Sequence, residues 1–180
     1  LGIACLGAPE GNCNAVGAHA LGMLLALFNK LPLADSYVRN TTSKWNREAF
    51  RGSDLDGQTI GIVGYGHTGK AFAQKLTGFN VEILAYDKYI IWGDEYPAKS
   101  VSLEELQRKA TIVSLHLPLS KETENWLDAK RIEQFKNAFT LINTARGGVV
   151  NTRDLLTALN NQKIKGACLD VFEHENPTTY

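Results

Sequence analysis

The sequence predicts an α/β fold built on a doubly wound parallel sheet. Three observations predict it. Short apolar runs recur from residue 59 onward, each followed by a segment with helical spacing. The runs are nearly continuous rather than alternating, as burial on both faces of a parallel sheet demands. The first run, TIGIV, feeds directly into Gly64-Tyr65-Gly66-His67-Thr68-Gly69.

In chain order, residues 14–29 place Val16, Ala20, Met23, Leu24, Leu27 and Phe28 at helical spacing, with Asn12 or Asn14 as the N-cap. Residues 31–55 are polar and mixed, including Thr41, Thr42, Ser43, Trp45 and Arg47, and read as a surface arm or a helix end followed by a loop. Strands follow at 59–63, 81–86, 111–115, 139–143 and 164–169, with a further short one near 99–101. Helices are expected at 70–76, 102–108, 128–135 and 152–160. The second opens on a capping box, Ser102 with Glu105, and the last on Asn151 or Thr152. Strand–helix alternation of this kind gives βαβ crossovers.

Composition narrows the class. The 180 residues are 44% hydrophobic and 21% charged, enough for a core and unlike a disordered tail or a coiled-coil rod. Nineteen basic residues balance nineteen acidic ones, so bulk charge marks neither a nucleic-acid nor a membrane-surface binder. Cys5, Cys13 and Cys168 are odd in number and show no CxxC spacing, which suits reduced thiols in the cytoplasm. The longest apolar stretch, residues 20–28, is too short for a bilayer. It follows Pro9, Glu10 and Asn12 with no basic n-region, so it does not read as a signal peptide. The first residue is Leu1 rather than Met, which suggests a piece of something longer.

Ligands of doubly wound sheets bind at the carboxyl ends of the strands, so the residues there are the candidates. The glycine segment follows a strand, opens a helix and has an acid, Asp87, 18 residues beyond its last glycine. That context makes it a Rossmann-type dinucleotide fingerprint rather than a plain turn. Gly64 permits the tight turn, Gly66 lets a pyrophosphate approach, and Gly69 packs helix on strand. The N–H groups around His67 and Thr68 would face the phosphates. Asp87 can accept hydrogen bonds from the adenosine ribose and would repel a 2′-phosphate, favouring NAD over NADP, although neighbouring Lys88 could tolerate the phosphate. His116, before Leu117 and Pro118, reads more readily as a hydrogen-bonded structural histidine than as a group aimed at the cofactor. Arg146, between a strand and two glycines, has the planar fork that binds a carboxylate or polarises a carbonyl. Asp170, Glu173, His174 and Glu175 crowd the end of the last strand, a site or a solvated loop.

Five segments together, GAPEGNCNAVGAHAL, IGIVGYGHTGKAFA, SLHLPLSKET, LINTARGGVVN and GACLDVFEHE, resemble the D-isomer-specific 2-hydroxyacid dehydrogenases, most closely the phosphoglycerate dehydrogenase-like members. The resemblance implies that Gly64, Gly66, His67, Thr68, Gly69 and Asp87 bind NAD. It implies that Leu117, Pro118, Thr123, Thr144, Ala145 and Arg146 line the cofactor, and that Asp170 contacts the nicotinamide amide. Arg146 would bind the substrate's carboxylate and carbonyl, and Glu175 would pair with the catalytic histidine. No metal is implied.

The same resemblance implies a Rossmann-type NAD-binding domain over residues 1–180, with residues 1–55 holding the hinge-proximal and dimerisation helix and arm, and with the substrate domain absent. The catalytic histidine would lie beyond Tyr180; His19, His67, His116 and His174 occupy other family positions. The expectation is therefore a domain that binds NAD without turnover by itself, because hydride transfer needs a base and a closed cleft. The implied parent is a dehydrogenase of 3-phosphoglycerate in serine biosynthesis, with glyoxylate, hydroxypyruvate and D-lactate as alternative substrates. The apolar surplus of the first helix suggests a partner, and the resemblance implies a twofold homodimer built through this helix and the arm around Trp45; a helix sandwiched between domains of the same chain is the alternative. An NAD-responsive, corepressor-like binding module is the competing reading, which Arg146 and Glu175 disfavour. A different Rossmann protein such as a methyltransferase is disfavoured by TARGG and DVFEHE.

Overall fold

The computed structural model describes residues 7–8, 10–40, 45–90, 92 and 97–175. Leu1, Cys5, Pro9, Thr41, Thr42 and Ser43 lie outside the described residues. Six strands, β1 (Thr59–Val63), β2 (Glu82–Tyr86), β3 (Lys99–Ser100), β4 (Ile112–Leu115), β5 (Phe139–Asn143) and β6 (Ile164–Leu169), form one sheet. Its order is β3-β2-β1-β4-β5-β6, and every neighbouring pair is parallel. The order reverses between β1 and β4, which opens a crevice at their carboxyl ends. The inner strands β1, β4 and β5 are buried almost throughout, which is why their residues are apolar without alternation.

The described residues form six α-helices: α1 (Cys13–Phe28), α2 (Leu31–Asn40), α3 (His67–Lys75), α4 (Leu103–Lys109), α5 (Ala129–Gln134) and α6 (Thr152–Asn160). Alternate strand residues feed two apolar layers. Ile60, Ile62, Ile83, Ala85 and Ile142 pack with Ala20 and Leu24 of α1 and Phe72 of α3. Val113, Leu115 and Leu141 pack with Leu106 of α4, Ile132 of α5 and Leu155 of α6. Three caps set helix starts: Ser102 Oγ accepts from Glu105 N (3.1 Å), Asp128 Oδ1 from Arg131 N (2.8 Å) and Asn151 Oδ1 from Asp154 N (3.1 Å). Each such cap contributes about 1 kcal/mol.

The structure refines several expectations. The capping box at Ser102 is half made: the Glu105 carboxylate turns to Lys109 Nζ at 2.8 Å. Asn12 sits at the N-cap of α1 but its side chain caps nothing. α3 begins at His67, three residues before the apolar pattern does, because its first turn is set by glycine packing rather than by apolar spacing. The mixed segment after residue 30 contains a full helix, α2, with no buried residue, steadied by Arg39 on Asp35 at 2.8 Å. Beyond it Trp45 stacks on Phe50 (ring centroids 4.4 Å apart), with Tyr37 edge-on to Trp45. α1 buries only Gly17, Ala20 and Leu24 fully. Its surplus surfaces beside a 620 Å³ groove lined by Met23, Leu27, Phe28 and Leu33, at the amino edge of the sheet. No single helix among the described residues is long and apolar enough to cross a membrane.

Candidate dinucleotide site at the carboxyl edge of the sheet

The loops after β1, β2 and β4 enclose a cleft of 570 Å³ whose lining includes Gly64, Gly66, Asp87, His116, Leu117, Pro118 and Thr123. At Gly64 and Gly69 the backbone leaves no room for a larger residue. Gly64 has φ of +90°, and a Cβ there would meet the His116 carbonyl oxygen at 2.6 Å. A Cβ on Gly69 would stand 2.2 Å from the Gly64 carbonyl oxygen, so α3 can approach β1 only without one. A Cβ on Gly66 would meet no protein atom within 4 Å; that position borders the open cleft. Gly66 is also the N-cap of α3 and offers no side-chain acceptor. The first-turn N–H groups around exposed His67 and half-buried Thr68 therefore point their positive end at the cleft without a capping group.

Asp87 ties two loops together. Its Oδ2 accepts from Tyr65 N at 2.8 Å, and its Oδ1 accepts from Tyr89 N (2.9 Å) and Ile90 N (3.1 Å). A carboxylate offers about four acceptor positions, so roughly one remains for a hydroxyl. After β4, His116 Nε2 lies 2.9 Å from Ser114 Oγ and the ring packs on Phe72. Burial pushes its pKa down to about 4. This is the structural histidine of the sequence reading, neutral at physiological pH, although one side of it lines the cleft. The Thr123 hydroxyl donates to the Pro118 carbonyl and accepts from Ser120 N (2.8 Å), which folds the turn beneath Leu117 and Pro118.

Farther along the same edge, buried Asn143 builds the turn that carries the arginine. Its amide donates to Arg146 O (3.1 Å) and its Oδ1 accepts from Ala145 N (3.1 Å). In the sequence Asn143 is a strand end, and its polar side chain closing an apolar run is the signal of this turn-building role. Thr144 is buried and its hydroxyl has no partner. Arg146 is exposed, donates Nη1 to Ala145 O (2.6 Å), and makes no ion pair among the described residues. Most of its donors are free for an incoming anion.

The three carboxylates after β6 do not converge. Asp170 Oδ1 lies 3.2 Å from His19 Nε2 on α1, a contact across 151 residues that no local pattern announces. Glu173 accepts from Thr152 N (2.9 Å) at the start of α6, and hydrogen bonding by the Thr152 side chain and then its backbone holds the Glu173 carboxyl below the usual range. Glu175 accepts from Phe172 N (2.7 Å) within its own turn. Exposed His174 stands 3.9 Å from Glu173. Crowding in sequence thus becomes three separate tasks in space. Among the described residues no group of three or more His, Cys, Asp or Glu could hold a metal ion.

These features fit a dinucleotide laid across the edge: an open glycine at an uncapped helix start, and an orphaned buried hydroxyl at the far end. Known proteins point the same way. The sequence profile of the D-isomer specific 2-hydroxyacid dehydrogenase NAD binding domain matches residues 21–180. D-3-phosphoglycerate dehydrogenase of Bacillus subtilis is 37% identical over 98% of this chain and 34% of its own length. Glyoxylate reductase of Thermofilum pendens is 40% identical over 90% of this chain and 49% of its own. The solved NAD-dependent formate dehydrogenase of Staphylococcus aureus, in complex with NAD, superposes with a TM-score of 0.83 at 31% identity, over 93% of this chain and 50% of that one. The chain thus spans a third to a half of the relatives' lengths. Because that profile matches residues 21–180 and the Bacillus relative is 37% identical over 98% of the chain, the chain belongs to the D-isomer-specific 2-hydroxyacid dehydrogenases, as their NAD-binding domain.

Proposed function

We propose that the chain is the NAD-binding part of an enzyme that transfers a hydride between NAD and a D-2-hydroxy acid, with 3-phosphoglycerate as substrate. The observation that carries the cofactor half is the glycine cradle at the sheet's switch point, tied to the acid after β2 by the 2.8 Å bond from Tyr65 N to Asp87. When bound, the nicotinamide gives or takes the hydride. The first turn of α3 binds the diphosphate, Asp87 accepts from a ribose hydroxyl, and Leu117, Pro118 and Thr123 wall the cleft. Thr144, Ala145 and Asp170 would hold the nicotinamide end. Arg146 orients the substrate's carboxylate and steadies negative charge on its oxygen, and Glu175 pairs with the catalytic histidine of the full-length enzyme. The substrate is supported by relatives named for phosphoglycerate; relatives named for glyoxylate offer the second reading. An enzyme is favoured over a purely cofactor-responsive module by the unpaired Arg146 guanidinium, which a sensor does not need.

A homodimer through α1, α2 and the Trp45 arm is supported by the exposed Leu27, Leu31, Leu33 and Trp45. Sedimentation showing only monomer at micromolar concentration would remove it. A cytoplasmic setting is supported by the free thiols of Cys13 and Cys168. The decisive experiment is calorimetric titration of the folded chain with NADH. Saturable heat is expected, and no heat at millimolar NADH refutes the cofactor site. Turnover assays of the full-length protein with 3-phosphoglycerate, glyoxylate and D-lactate then rank the substrates.

A further inference from the structure

The lip of the cofactor cleft carries an ion pair that the site described above does not use. Lys88 follows Asp87 in sequence, and Glu122 stands on the loop after β4, 34 residues away. The Lys88 ammonium pairs with Glu122 Oε1, while Glu122 Oε2 accepts from the Tyr89 hydroxyl at 3.0 Å. Asp87, Lys88, Tyr89 and Glu122 all line the one cleft. Arg131, the other cation there, is stacked over the Trp126 ring with its carbon 4.4 Å from the centroid. Lys88 is therefore the cation best placed to meet a charged group near Asp87.

We propose that Glu122 is a cofactor-selectivity residue: it holds Lys88 away from the ribose 2′ position and adds a second negative charge beside Asp87, which together exclude a 2′-phosphorylated dinucleotide. The proposal rests on the NAD reading and deepens it. Asp87 alone leaves selectivity incomplete, because its neighbour Lys88 could neutralise a 2′-phosphate. Glu122 removes that option by occupying the ammonium with a carboxylate, itself anchored by Tyr89. Hydrogen bonding within the pair keeps Lys88 above and Glu122 below their ordinary pKa ranges, so both are charged at neutral pH. The two side chains are half exposed, at 54% and 52%, so the pair itself adds little to folding. Its consequence is where it leaves the charge.

The test is a fluorescence titration of the protein with NADH and with NADPH. The variants are wild type, Glu122→Gln, and Glu122→Gln combined with Lys88→Ala. The NADPH-to-NADH affinity ratio is expected to rise about tenfold in Glu122→Gln, since one charge is removed and another freed near a doubly charged phosphate. The gain is expected to vanish in the double variant and to shrink in high salt. An unmoved ratio in a Glu122→Gln protein that binds NADH refutes the role of Glu122 and leaves the NAD site standing. Equal shifts for both cofactors also refute it, making Glu122 a structural strap. A wild-type protein that binds neither dinucleotide overturns the site and the proposal together.

Discussion

Replacing Gly69 by alanine separates packing from binding in the glycine segment. The new Cβ would lie 2.2 Å from the Gly64 carbonyl oxygen. An ordinary carbon–oxygen contact is about 3.3 Å or more, so α3 and the end of β1 must part by roughly 1 Å. Both partners are backbone and neither can rotate away. Overpacking costs about 1–3 kcal/mol in general, and this geometry belongs at the upper end. At about 3 kcal/mol, a domain of this size loses roughly 6–12 °C in Tm. The same displacement moves the first-turn N–H groups of α3, so NADH affinity should fall about tenfold or more. Circular-dichroism melts with NADH titrations at 25 °C read both effects. Gly66→Ala is the control, because its Cβ meets no protein atom within 4 Å. It should melt near wild type yet weaken NADH. A Gly69→Ala protein that melts within about 2 °C of wild type and binds NADH normally would refute the close-packing argument.

Two other expectations follow from single side chains. The folded protein disfavours a proton on His116, whose pKa is pushed down to about 4 by burial, whereas the unfolded imidazole takes one up below about 6.5. Stability is thus lost as pH falls through the window from 6.5 towards 4, by at most about 2 kcal/mol between pH 7 and 5. Urea midpoints in His116→Gln should show a flatter pH dependence, and an unchanged slope would reject the assignment. On the proposed function, Arg146→Ala in the parent dehydrogenase should lower kcat/KM for the 2-oxo acid about a hundredfold or more while NADH affinity stays within about threefold. An equal loss of NADH binding would leave Arg146 with its cofactor-lining role alone and refute its role toward substrate.

The sheet was legible because its inner strands are buried on both sides: TIGIV, TIVSL and FTLIN are written in apolar residues with no solvent face to interrupt them. α6 was legible through Asn151, which caps it. The start of α3 was not, since Gly66 and Gly69 carry no apolar period and their helix is decided by contact with β1. α2 was blurred for a related reason: with no buried residue, it imposes no stripe on its sequence.

The site divides along the same line. The glycine fingerprint and Asp87 were visible because a dinucleotide turn requires them at that spacing, and Arg146 and the acids after β6 because they are charged residues at the ends of apolar strands. Their relationships were not. Asp170 beside His19 and Glu122 on Lys88 depend on which loops the sheet order brings together, and Glu175 is turned onto its own backbone rather than onto its neighbouring acids. Sequence alone therefore determined the sheet, the cradle and the chemical class of what it holds, since burial and tight turns restrict residue choice one position at a time. Partner choice among charged side chains was left to the tertiary structure. An exposed carboxylate gains nearly the same energy from any nearby cation or N–H, so only the packed backbone decides which one it meets.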